Sequence, residues 1–72
     1  MTYGKGRTYK KIEVIGVSGQ SIEAAIQAAI SKAHNSLEKL SWFEVMEVHG
    51  HIGEDGTVKE YQVLLKVAFE LK

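Results

Sequence analysis

The residues best equipped for chemistry in this chain are a tryptophan, a glutamine and a short run of histidines and glutamates. Trp42 is the only tryptophan of the 72 residues, and it opens a stretch that continues through Glu44, Glu47, His49 and His51 to Ile52. An indole carried on a rigid strand can stack on a flat heteroaromatic ring, a contact worth on the order of 1 kcal/mol beyond the area it buries. A carboxamide such as that of Gln62 offers a donor and an acceptor to an edge of alternating carbonyl and N–H groups. Flavins, pterins and nucleobases all present such an edge. Spacing alone leaves a second reading of Trp42 open, as a residue that fills a subunit interface, where tryptophan is enriched.

The other reactive groups are less well arranged. His49 and His51, two apart on a strand, share a face with Glu47 and so have the makings of a metal site, but an ordinary exposed strand explains them without further ligands. His34, near a helix end, suits a polar boundary where the helix dipole favours positive charge. Strict alternation puts Glu44 and Glu47 on opposite faces, which argues against a shared acid/base site. No nucleophile with a positioned base is evident, and the glycines form no phosphate-cradling motif, so no enzyme activity is expected.

Three strands and a helix must position these groups. Residues 1–7 read as a loose basic tail, followed by a single domain over 8–72. Thr8 to Val17 is rich in β-branched residues, with Ile12 and Val14 on one face and Tyr9, Lys11, Glu13 and Ile15 on the other. Ser21 is the expected N-cap of a helix whose apolar stripe, Ile22, Ala25, Ile26, Ala29, Ile30, Ala33, Leu37 and Leu40, places its end near Lys39. A second strand is predicted from Ser41 to Ile52, with Phe43 and Val45 on one side and Trp42, Met46 and Val48 on the other. Asp55-Gly56 signals a turn. In the last strand, Val58 to Leu71, Tyr61, Val63, Leu65, Val67, Phe69 and Leu71 face the helix, and Glu60, Gln62, Leu64, Lys66, Ala68 and Glu70 face away. The fold class is therefore α+β, β-α-β-β, and a fully antiparallel three-stranded sheet follows only if the third strand is central.

A chain this short is marginal as a lone domain without disulfides, metal or oligomerisation. It has no cysteine, and one helix leaves a sheet face carrying Trp42, Met46, Val48, Gln62 and Leu64 uncovered, so a multimer is expected. Nine basic residues balance nine acidic ones, which argues against a nucleic-acid surface. No apolar run reaches membrane-span length and no signal peptide is visible, so a cytoplasmic protein is the expectation.

Five segments narrow the reading. Tyr9-Lys-Lys-Ile-Glu-Val-Ile-Gly, Ile22-Glu-Ala-Ala-Ile-Gln-Ala-Ala, Leu40-Ser-Trp-Phe-Glu-Val, Glu60-Tyr-Gln-Val and Lys66-Val-Ala-Phe-Glu-Leu together resemble the dodecin family, in order and spacing, from Thr8 to Leu71. The resemblance implies a hollow homododecamer that binds flavins (riboflavin, FMN or FAD) without catalysis. Two flavins would stack on a two-fold axis between the Trp42 side chains of neighbouring subunits, with Gln62 bonding the pyrimidine edge. It implies storage and photoprotection of the flavin. Many relatives resemble one another in carrying arginine where His49 stands, and some also carry a basic residue where Glu70 stands, so a phosphate tail should be held less firmly at His49. The alternative is a structural shell that carries coenzyme A or a metal ion; no residue is assigned to either.

Overall fold

The computed structural model describes residues 6–36 and 39–72; the expected tail falls largely outside this range, as does Leu37. The elements are β1 (Thr8–Ser18), α1 (Ile22–Ser36), β2 (Leu40–Ile52) and β3 (Val58–Leu71). The sheet order is β1-β3-β2, and β3 is antiparallel to both neighbours. The order of elements and the central third strand are those expected from the sequence.

Local chemistry explains the joints. Ser18 Oγ accepts the amide of Gln20 at 3.0 Å, which breaks the strand, and Ser21 Oγ accepts the amide of Ala24 at 3.0 Å, which caps α1. Gly56, at φ 84°, supplies the left-handed residue of the β2–β3 turn, where its amide donates to the Gly53 carbonyl at 2.9 Å. The described part of α1 runs to Ser36, and the expected end near Lys39 falls on residues 37 and 38, outside the described residues; Leu40 leaves the expected stripe to begin β2. Leu40 still packs on the core from its strand position.

The core is a layer of Ala25, Ala29 and Ala33 pressed against Val63, Leu65 and Val67, all buried. Alanines bring the helix close to the sheet, and β3 supplies the bulk. A 15-residue helix is about 22 Å long and the 14-residue β3 about 46 Å, so α1 cannot cover the sheet. It lies over β1 and β3. Phe43, Val45 and Val48 of β2 are on the helix side of the sheet yet 45%, 43% and 48% exposed. Both faces of β2 are thus uncovered.

Two bulges in β2 correct the strict alternation expected from its sequence. Ser41 is the extra residue between Leu40, opposite Phe69, and Trp42, opposite Ala68. Met46 is the extra residue between Val45, opposite Leu65, and Glu47, opposite Leu64. Each inserted residue shifts the inside-outside phase by one position. Val48 consequently lies opposite the buried Val63 on the helix side and not beside Trp42. For the same reason Glu44 and Glu47 share the open face.

Candidate functional site

The open face is read from its cross-strand rows, since directly paired residues lie on the same side of a sheet. One row is Lys11, Ala68, Trp42; the next is Glu13, Lys66, Glu44. Farther along come Ile15, Leu64, Glu47 and then Val17, Gln62, His49. All three candidate site residues, Trp42, Gln62 and His49, therefore face away from the helix.

The indole of Trp42 is 43% exposed and held from two sides. Its Nε1–H donates to Glu44 Oε2 at 3.1 Å, and the Tyr9 ring lies against it with centroids 4.8 Å apart and planes tilted by 54°. Lys11 Nζ reaches both oxygens of Glu44, at 3.0 and 3.2 Å. The lysine hydrogen bonds first, and the indole N–H second, lower the Glu44 pKa below its ordinary value of 4.5. Its carboxylate persists under acid, and whatever it contributes to stability is complete above the ordinary carboxylate value and lost only as pH falls through the lowered one. Emission from the single tryptophan, followed against pH, should accordingly show its carboxylate-linked step below 4.5. A step at or above that value would contradict the Lys11–Glu44–Trp42 geometry.

His49 and Gln62 are brought together by the Met46 bulge, directly opposite one another. The Gln62 amide nitrogen donates to Glu60 Oε2 at 2.9 Å, and His49 Nε2 lies 3.9 Å from Glu47 Oε1. Glu47, His49 and His51 share a face as expected, and the Met46 bulge makes it the open one, but no group of three metal-ligating side chains converges among the described residues.

Within one chain, Trp42 and Gln62 are not neighbours. Their rows are six residues apart along β3, which is about 20 Å at the rise of an extended strand. That exceeds the span of a three-ring heterocycle. Tyr9, Lys11 and Ala68 escaped the sequence reading as partners of Trp42. The signal was present, since all three fall on the open faces of their strands, but their row exists only once the register is known.

A concavity of about 600 Å³ lies elsewhere, between β1 and α1, lined by Ile12, Val14, Ala29 and Ala33 among others. It is largely apolar, with Lys32 and Ser36 the polar side chains of its lining. No described helix is long and apolar enough to cross a membrane.

Comparison with known proteins agrees with the geometry. The family model for dodecin matches residues 8–72. A dodecin from Thermus thermophilus is 55% identical over 67 residues, covering 93% of this chain and 96% of that protein. The crystal structure of an arginine-to-alanine variant of Thermus dodecin has a TM-score of 0.86 at 55% identity, with 93% and 98% of the two chains covered. Dodecin from Streptomyces coelicolor gives 0.87 at 43% identity, covering 94% and 96%. A calcium dodecin from Mycobacterium tuberculosis, described as calcium chelating with a novel calcium-binding site, gives 0.78 at 29% identity over 90% and 91%. With the β1-β3-β2 sheet, the single helix and the outward tryptophan already in place, these matches over nearly the whole length make the chain a member of the dodecin family.

Proposed function

We propose that this protein binds and sequesters flavins in the cytoplasm as a homododecamer and protects them from light. Pairs of flavins stack between Trp42 side chains of neighbouring subunits, while Gln62 bonds the pyrimidine edge. The observation that carries this reading is the half-exposed indole, clamped by Tyr9 and Glu44 on a sheet face with no cover of its own. The separation of Trp42 from Gln62 within a chain supports an assembly, and so do the exposed Phe43, Val45 and Val48 on the other face, because monomeric surfaces rarely leave such patches open. An electron-rich indole in contact with an excited flavin quenches it by electron transfer, which is the photoprotective step. No residue of the site pairs a nucleophile with a base, and the role is binding without turnover.

Titration of riboflavin and FMN fluorescence with the purified protein tests the reading. Saturable quenching in an assembly larger than a monomer, established by sedimentation, is expected; unchanged fluorescence would reject it. His49 sets a further expectation. An imidazole reaches less far than a guanidinium and lacks its forked donors for an oxyanion, so FMN and riboflavin should bind within about threefold of each other. His49→Arg should tighten FMN about tenfold and leave riboflavin unchanged, as a charge-assisted bond to phosphate contributes on the order of 1.5 kcal/mol. Equal effects on the two ligands would remove His49 from the tail site.

The second reading is a shell that holds a divalent cation, favoured by the calcium-chelating relative. Calorimetric titration with calcium separates it from the first, since flavin binding through Trp42 needs no metal.

A further inference from the structure

Neighbouring strands are about 4.8 Å apart, so side chains on β1 and β2, with β3 between them, stand about 10 Å apart and ordinarily do not meet. Here they do. The Tyr9 ring of β1 contacts the Trp42 ring of β2, and Lys11 of β1 reaches across to Glu44 of β2. The residue of β3 in the same row as Lys11 and Trp42 is Ala68, which is fully buried although it is on the face that α1 does not cover. Its methyl group leaves the gap over which the outer strands close, and their side chains bury it in turn.

We propose that Tyr9, Lys11 and Glu44 form a clamp, closed over Ala68, that fixes the Trp42 indole before any ligand arrives and thereby sets the affinity for the flavin ring whatever its tail. This rests on the flavin reading above and adds positioning residues to it. An exposed tryptophan without such restraints samples several side-chain rotamers, all but one of which a stacked ligand must exclude. The clamp removes that loss in advance. It also commits the Lys11 ammonium to both oxygens of Glu44, so that this cation is not free for a ligand phosphate.

The test uses the full assembled chain, whose lone tryptophan makes its signals unambiguous. Fluorescence anisotropy and near-ultraviolet circular dichroism of the ligand-free protein are measured for the wild type, Glu44→Ala, Glu44→Gln and Ala68→Val, followed by titration with riboflavin and FMN. Glu44→Ala should lower the anisotropy and the indole dichroism and weaken both flavins alike by about 3- to 10-fold, the effect of ordering one side chain. Glu44→Gln, which keeps a carbonyl acceptor but loses the ion pair, should fall between it and the wild type. Ala68→Val should loosen the indole with every polar partner still present. If Glu44→Ala does not assemble, Lys11→Met takes its place, with the same direction of change expected. Unchanged anisotropy in Glu44→Ala overturns the clamp, and so does lowered anisotropy with unchanged affinities. If the wild type binds neither flavin, the flavin reading falls and with it the clamp's role in affinity, while the ligand-free anisotropy separately decides whether the clamp exists.

Discussion

Trp42→Ala is expected to abolish saturable quenching of flavin fluorescence, with affinity for riboflavin and FMN falling by at least about 100-fold. The size follows from the exposed part of the indole. A tryptophan side chain offers up to about 250 Å², and the 43% left open to solvent amounts to roughly 100 Å² available to a ligand. At about 25 cal/mol per Å² that surface contributes on the order of 2.5 kcal/mol, and stacking geometry adds about 1 kcal/mol. Together these correspond to about 300-fold in the dissociation constant. Because each stacked flavin would touch one indole, the loss applies to every ligand of a pair. It should be the same for both flavins, since Trp42 contacts the ring and not the tail.

The same substitution should leave the subunit folded. Trp42 lies outside the buried cluster of Ala25, Ala29, Ala33, Val63, Leu65 and Val67, on the opposite face of the sheet. Its removal uncovers Ala68 and frees Glu44 for Lys11 alone, both at a surface. Sedimentation of the variant therefore decides what a loss of quenching means. An intact assembly that no longer quenches identifies the stacking platform. A dissociated one returns Trp42 to the role of interface residue, the other reading its position allowed from the start. An intact assembly that still quenches would sink the proposed function, because that reading assigns the stacking and the quenching to Trp42.

The order of elements, the central place of β3 and its inward set of Val63, Leu65 and Val67 were legible in the sequence because each depends on local periodicity. The pattern in β3 is regular and long, and the helical crossover from β1 to β2 with the tight turn from β2 to β3 permits one fully antiparallel arrangement. Strand β2 was misread at Val48 and Glu47 because a bulge is not a pattern but an exception to one. Nothing in Leu-Ser-Trp or Val-Met-Glu distinguishes an inserted residue from a paired one, and the phase error it causes propagates to every later position. That error matters for function, as the Met46 bulge is what sets His49 across from Gln62. The clamp on Trp42 was hidden for a different reason. Its members are 31 to 59 residues apart in the chain, counting from Tyr9 or Lys11 to Trp42 and Ala68, and only the register of two strand pairs puts them in the same or adjacent rows. Trp42 and Gln62 themselves carried a resemblance to a known site, but their distance within one subunit emerged only from that register.

Gly16→Ala is expected to be the most damaging alanine substitution among the described glycines. Gly16 sits on β1 opposite the fully buried Val63, where α1 passes closest to the sheet. A Cβ there would fall well inside contact distance of the Ala25 carbonyl oxygen and 2.9 Å from the Ala29 Cβ. Neither neighbour can move aside: one is helix backbone whose carbonyl belongs to the helical ladder, and the other is a methyl group with no rotamer to change. Relief requires α1 to lift or tilt, which parts the alanine stripe from Val63, Leu65 and Val67, the whole of the packed layer. Overpacking of a well-filled core usually costs about 1 to 3 kcal/mol, and the absence of any soft neighbour puts this site at about 3 kcal/mol or above on that scale. In a domain of this size each kcal/mol lowers Tm by roughly 4 to 8 °C, so a drop of at least about 12 °C is expected. It should be measured at matched protomer concentration, because assembly couples to unfolding. Gly19→Ala is the control. Its Cβ would meet only the Lys59 carbonyl, at 3.7 Å, and the residue has no left-handed φ, so it should be neutral or stabilising by up to about 1 kcal/mol through the unfolded chain. Equal stability of the two variants would mean that the helix is not seated on Gly16 as the structure has it, and that the close approach of α1 to β1 does not hold the core together.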